Sequence, residues 1–95
     1  MNQKFKINQS IIVDQRNSDG HSRTPGYIRG KVGKIERICG SFPNPEQIAK
    51  CHPKPDILNL YRCTFYQKDV WNNYLGNDQD TIELEIYEHW LLPNN

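Results

Sequence analysis

The chain has little of what a self-sufficient catalytic domain needs. Among its 95 residues three are cysteine, Cys39, Cys51 and Cys63. The number is odd and no Cys-x-x-Cys occurs, which argues against a disulfide scaffold and fits a reducing compartment. No apolar run is long enough to span a membrane, and the N-terminus lacks the apolar stretch of a signal peptide. A soluble cytoplasmic protein is therefore the expectation. His21, His52 and His89 are scattered, and the neighbours Cys51 and His52 are badly spaced to face one ion. No metal is expected to be bound by this chain alone. Gly30 and Gly33 lack the strand–loop–helix setting of a phosphate cradle. No nucleophile–base pair stands out. Cys63 sits amid an apolar alternation and reads as a buried structural residue. Cys39 and Cys51 fall in or near a loop, where a reactive thiol is compatible but unsupported.

Charge of one sign is also missing overall but not locally. The formal net charge is +1, yet residues 1–50 carry nine Lys/Arg against four Asp/Glu, and residues 51–95 carry three against seven. Two solvated surfaces of paired strands would give this split, and so would a basic face that docks an anionic group or partner. With 36% hydrophobic residues the core is thin, and docking on a partner would help so small a domain. Arg29 to Ile35 somewhat resembles the glycine-centred turn of KOW-type barrels, whose basic loops contact phosphates. The near-zero net charge and the acidic last third oppose a nucleic-acid reading, and Lys31 and Lys34 equally suit the exposed face of a strand.

What is present is mostly strand. Ser10 to Val13 is a β-branched run and predicts a first strand. A long polar loop follows, with Asp19-Gly20 as a turn signal. Tyr27 to Ile38 predicts a second strand, with a bulge at Gly33 because strict alternation fails there. Prolines 43, 45, 53 and 55 predict a loop from Cys39 to Ile57, with one helical turn at Pro45–Ala49. Leu58 to Phe65 predicts a third strand burying Tyr61, Cys63 and Phe65. Gln67 to Trp71 predicts a helical turn, Thr81 to Tyr87 a strand facing Ile82, Leu84 and Ile86 inward, and Glu88 to Pro93 a 3₁₀ turn with a last short strand. Four or five short strands with long loops make an all-β class and, at this length, a small partly open barrel.

The most informative stretch is Gly20 to Gly33. Arg23 and Arg29 flank Pro25 and Tyr27. Proline fixes φ and glycine opens conformations closed to other residues, so such a loop can hold an arginine in one direction. A held guanidinium recognises oxyanions well. Trp71, Tyr74, Trp90 and Tyr27 lie in or beside loops, where core packing and an interface patch explain them equally well.

At Gly20-His21-x-Arg23-x-Pro25-x-Tyr27-x-Arg29-Gly30-Lys31-x-Gly33 the chain resembles the β subunit of nitrile hydratases, in its C-terminal SH3-like domain. Phe42 to Pro45 matches that family's Phe/Pro loop. Leu60-Tyr61-x-x-x-Phe65 and then Asp69-Val70-Trp71 match its Tyr-x-Val-x-Phe strand and Glu-Leu-Trp turn. Asp80-x-Ile82-x-Leu84-x-x-x-Glu88-x-x-Leu91-x-Pro93 matches its terminal strand and closing Tyr-Leu-x-Pro. The similarity runs from Phe5 to Pro93 in unbroken order.

The resemblance implies one domain over residues 1–95, an SH3-like partly open barrel of about five strands with long loops and a short helical turn. It implies hydration of a nitrile to an amide, or hydrolysis of thiocyanate, at a low-spin Fe(III) or Co(III) ion. The family holds that ion in a Cys-x-x-Cys-Ser-Cys segment of a partner α chain, with two cysteines oxidised to sulfinic and sulfenic acids. The family's β-subunit arginine that hydrogen-bonds those oxygens falls on Arg23. A guanidinium fork suits an oxidised cysteine, which is an anionic acceptor. His21, Tyr27 and Arg29 take supporting roles in the loop and interface. The family's helical β N-terminal domain and its α metal segment have no counterpart in these residues, so inactivity alone is the expectation. The implied partners are an α-like subunit and, in split arrangements such as thiocyanate hydrolase, a third chain equivalent to the β N-terminal domain. No membrane partner is expected, and nucleic acid is disfavoured. The alternative is a stand-alone SH3-like interaction or assembly module without catalysis, binding RNA or serving the enzyme as a metallochaperone-type accessory.

Overall fold

The computed structural model describes residues 3–15 and 24–94. Among them are five strands: β1 (Ser10–Val13), β2 (Val32–Pro43), β3 (Ile57–Tyr66), β4 (Thr81–Tyr87) and β5 (Leu91–Pro93). They form one antiparallel sheet in the order β4-β3-β2-β1-β5. Two one-turn helices, α1 (Pro45–Ala49) and α2 (Gln67–Val70), and 3₁₀ turns at Gly26–Ile28 and Glu88–Trp90 join them. The expected all-β class with five strands is what the chain adopts, although β2 and β3, at 12 and 10 residues, are not short.

Alternation places the core. In β3 the side chains of Asn59, Tyr61, Cys63 and Phe65 are buried. Their cross-strand partners in β4 are Ile86 for Tyr61, Leu84 for Cys63 and Ile82 for Phe65, so both strands send one apolar row to the same side. Ile11, Val13 and Ile35 join that row, and Ile28, Val70, Trp90 and Leu91 close over it.

The second strand departs from expectation at both ends. Pro25, at φ −61°, enters the 3₁₀ turn at Gly26–Ile28 instead of a strand. Gly30, at φ +81°, then reverses the chain so that its N–H donates to the Val13 carbonyl at 2.7 Å. The strand starts at Val32 and runs through the first part of the predicted loop to Pro43. Pro43 is tolerated because it ends the strand and because the β1 ladder stops at Lys34, so its missing N–H disrupts no pairing on that side. Gly33 is not a bulge. It pairs in register with Ile11, and a Cβ there would lie 2.6 Å from the Phe65 ring and 2.7 Å from the Thr64 carbonyl. Close packing demands the glycine. The register shifts fall instead between Ile35 and Arg37 and between Ile38 and Gly40.

The described residues before β1 are docked on the sheet. Phe5 is buried and packs edge-on against Tyr61, with ring centroids 5.6 Å apart. The Tyr61 hydroxyl accepts from the amides of Lys4 and Phe5 at 3.1 and 3.2 Å and donates to Glu88 Oε2 at 2.5 Å. The same carboxylate oxygen accepts from Asn59 Nδ2 at 2.9 Å and from the Lys4 amide at 3.2 Å. Burial, followed by the bond to Glu88, raises the Tyr61 pKa. Burial also pushes Glu88 upward, but the donors from Tyr61, Asn59 and Lys4 outweigh it and hold its carboxyl below the ordinary value.

Candidate functional site

The residues that flank the long loop after β1 converge on one indole. Trp90 is buried at the end of the second 3₁₀ turn. Its carbonyl accepts from the Asp14 amide at 2.9 Å, which pins the loop where it leaves β1. On the far side of the loop Arg29 sits over the indole, with its guanidinium carbon 4.7 Å from the ring centroid. Arg29 Nη2 donates to the carbonyl of buried Thr24 at 2.8 Å. Trp90 thus holds one shoulder of the loop directly and the other through Arg29. A partly desolvated cation–π contact of this kind contributes about 1 kcal/mol.

Trp90 is itself held from below. Its Nε1 donates to Glu46 Oε2 at 2.6 Å, and His89 Nε2 lies 2.7 Å from the same oxygen. Glu46 is set in place by the start of α1. The Asn44 side chain accepts from the Glu46 amide at 2.9 Å, and Pro45 occupies the first turn. The Asn44 amide donates to the Asp56 carbonyl at 2.7 Å and closes the proline-rich segment beneath it. Nothing in the linear sequence pairs Glu46 with a tryptophan 44 positions away. The only local trace is the helix start at Asn44-Pro45-Glu46.

The sequence-predicted site residues separate accordingly. Arg29 is an internal clamp, and its Nε is buried with no partner among the described residues. Tyr27 faces elsewhere. Its ring stacks on Trp71, with centroids 4.9 Å apart and planes 26° apart, and the two side chains remain 40% and 39% exposed. Trp71 Nε1 donates to Gln67 Oε1 at 2.6 Å. Arg23 and His21 lie outside the described residues; Arg23 is the sequence neighbour of the anchored Thr24.

Among the described residues no group of three or more His, Cys, Asp or Glu is placed to hold a metal ion. Burial, with Cys39 nearby, pushes the Cys63 thiol up to about 12, far from a thiolate at neutral pH. A cleft of about 220 Å³ opens beside β2, lined among others by Val32, Gly33, Lys34, Phe65, Tyr66 and Asp69. No helix of the described residues is long and apolar enough to cross a membrane.

Comparison with known proteins gives consistent matches. The family described as nitrile hydratase beta subunit, C-terminal, matches residues 1–93. Nitrile hydratase subunit beta of Pseudomonas putida is 27% identical over 90 residues, covering 94% of this chain and 41% of that one. Thiocyanate hydrolase subunit alpha of Thiobacillus thioparus is 30% identical over 89 residues, covering 93% of this chain and 70% of that subunit. A solved structure of the recombinant thiocyanate hydrolase apo-enzyme from Thiobacillus thioparus superposes with a TM-score of 0.91 at 29% identity, over 98% of this chain and 78% of that chain. The chain therefore spans about two fifths of the Pseudomonas subunit and more than two thirds of the Thiobacillus one.

Proposed function

Because this chain belongs to the family of nitrile hydratase β C-terminal domains, we propose that it is a small β-type subunit of a nitrile-hydratase-like metal hydro-lyase. It docks on an α-like chain through the loop from Asp14 to Arg29. Arg23 then donates its guanidinium N–H groups to the oxygens of oxidised cysteines on that chain. An Fe(III) or Co(III) ion bound by the α-like chain would supply the Lewis acidity for adding water to a nitrile or thiocyanate carbon.

The match over residues 1–93 carries the reading. The clamp supports it: Arg29 ties the Thr24 carbonyl to the Trp90 platform, so the backbone next to Arg23 has a fixed neighbour. Tyr27 and Arg29 act on the loop and the interface, and His21 belongs to the same segment. The subunit works in the cytoplasm as one SH3-like domain, in a heteromer that includes a third chain equivalent to the β N-terminal domain.

The test is co-expression with an α-type chain bearing Cys-x-x-Cys-Ser-Cys. A stable complex is expected, and Arg23→Lys should lower its turnover about 10- to 100-fold, the usual loss for a residue that hydrogen-bonds metal ligands, while thermal unfolding stays unchanged. Undiminished turnover in Arg23→Lys would sink the role.

A further inference from the structure

The connection from Trp71 to Asp80, between α2 and β4, presents Leu75 almost wholly to water, at 98% exposure. It does so from a hydrogen-bonded turn. The Tyr74 hydroxyl donates to Asp80 Oδ2 at 2.5 Å, and the same oxygen accepts from the Asn77 amide at 3.1 Å. The Asp80 amide donates to the Asn77 carbonyl at 3.0 Å, and the Gln79 amide to Asn77 Oδ1 at 2.8 Å. The base is closed by the Gln67 amide on the Asp80 carbonyl at 2.9 Å. A Cβ on Gly76 would collide with the Tyr74 phenol, so the glycine is what lets that ring fold back. These bonds hold the turn that carries Leu75 on both sides of it. A backbone turn held before docking leaves less to be ordered when its apolar side chain is buried in a socket.

The surroundings say what kind of socket. Residues 69–95 contain six carboxylates and no lysine or arginine. Asp69, Asp78, Asp80 and Glu83 flank Leu75 along the chain. A partner surface that receives this leucine must meet carboxylates around it, which favours a basic rim. The frame also adjoins the proposed docking loop. Trp71, at its start, stacks on Tyr27, three residues beyond anchored Thr24.

We propose that Leu75 is a docking knob that inserts into an apolar, basic-rimmed socket on the α-type chain. The inference rests on the subunit reading above and extends that interface from the Asp14–Arg29 loop, across the Tyr27–Trp71 pair, to the Trp71–Asp80 frame. The test uses the full chain and the α-type chain bearing Cys-x-x-Cys-Ser-Cys, titrated by calorimetry at low and high salt. Leu75→Asp should weaken binding about tenfold or more, as loss of a buried anchor does, with unchanged thermal unfolding of the free chain. Tyr74→Phe keeps the leucine but removes its brace, and should weaken binding by a smaller factor. Asp78→Lys should weaken binding and flatten its salt dependence. Wild type binding while both Leu75→Asp and Tyr74→Phe bind as tightly would overturn the knob and leave the subunit reading intact. Failure of the wild type to bind would remove both.

Discussion

Arg29 sits over the ring of Trp90, 4.7 Å from its centroid, and from there reaches the Thr24 carbonyl. Arg23 and Arg29 flank Pro25 in the sequence, and either guanidinium alone would suit an oxyanion. The structure commits one of them to holding the loop.

Arg29→Ala should therefore destabilise the free domain by about 1–2 kcal/mol, from the lost cation–π contact and one hydrogen bond. Urea denaturation measures this. The Gly30 amide, bonded to the Val13 carbonyl beside the clamp, should exchange faster in the variant. A variant with wild-type midpoint and exchange would contradict the clamp.

The support beneath Trp90 predicts coupling between distant positions. Asn44→Ala removes the cap of α1 and should cost about 1 kcal/mol. Trp90→Phe removes the donor to Glu46. Because the cap sets Glu46 where the indole finds it, the double variant should lose less than the sum of the two single losses. Strict additivity in a double-mutant cycle would separate α1 from the platform.

Glu88 gives the domain an acid-sensitive stability. Its carboxyl is held below the ordinary 4.5 by Tyr61, Asn59 and Lys4 against the opposing effect of burial. A lowered folded-state pKa contributes stability that is present above that ordinary value and is lost as pH falls through the folded one. Thermal unfolding between neutral and acid pH should fall more steeply for the wild type than for Glu88→Gln, and the curves should converge in acid. Tyr61 works on the opposite limb: its pKa is raised above 10.0, so its contribution is present below that value and disappears as pH rises past it.

Gly33→Ala would place a methyl against the Phe65 ring and the Thr64 carbonyl, and should cost about 1–3 kcal/mol by overpacking. A bulge glycine would tolerate alanine better than this, so the measured loss distinguishes the two roles.

Much of the fold is legible in the residues because local and tertiary demands agree. The row Tyr61, Cys63, Phe65 and the row Ile82, Leu84, Ile86 each alternate, and the sheet pairs them. Pro45 marks a helical start and Asn44 caps it. Legibility fails where one residue type has two physical uses. Gly33 looks like a bulge but is a site of close approach, a distinction made only by Phe65 on a distant strand. Pro43 looks like a strand breaker but sits at a strand end where no neighbour needs its N–H. Tyr27 has strand propensity, yet Pro25 before it and Gly30 after it impose a turn. The Glu46–Trp90 contact and the docking of Phe5 on Tyr61 join residues far apart in the chain, and periodicity carries no information about such pairs. The family motif located the loop and one of its braces, Arg29, while Trp90 and Glu46, which complete the support, are not motif residues.

The two register shifts in β2 have a colloidal consequence. Asn8 and Gln9 extend pairing along one side of β2 as far as Ile35, and no described strand continues it. From Glu36 to Pro43 that side is an open edge of the kind that templates aggregation between copies. The shifts leave Glu36 and Cys39 without a register partner in β3, and both fall within this stretch. Each bends the strand and tightens its twist, so the edge does not offer a straight row of donors and acceptors to a second chain. Pro43 ends it with a residue that has no N–H to donate. The long strand can stay uncovered on that side without becoming adhesive.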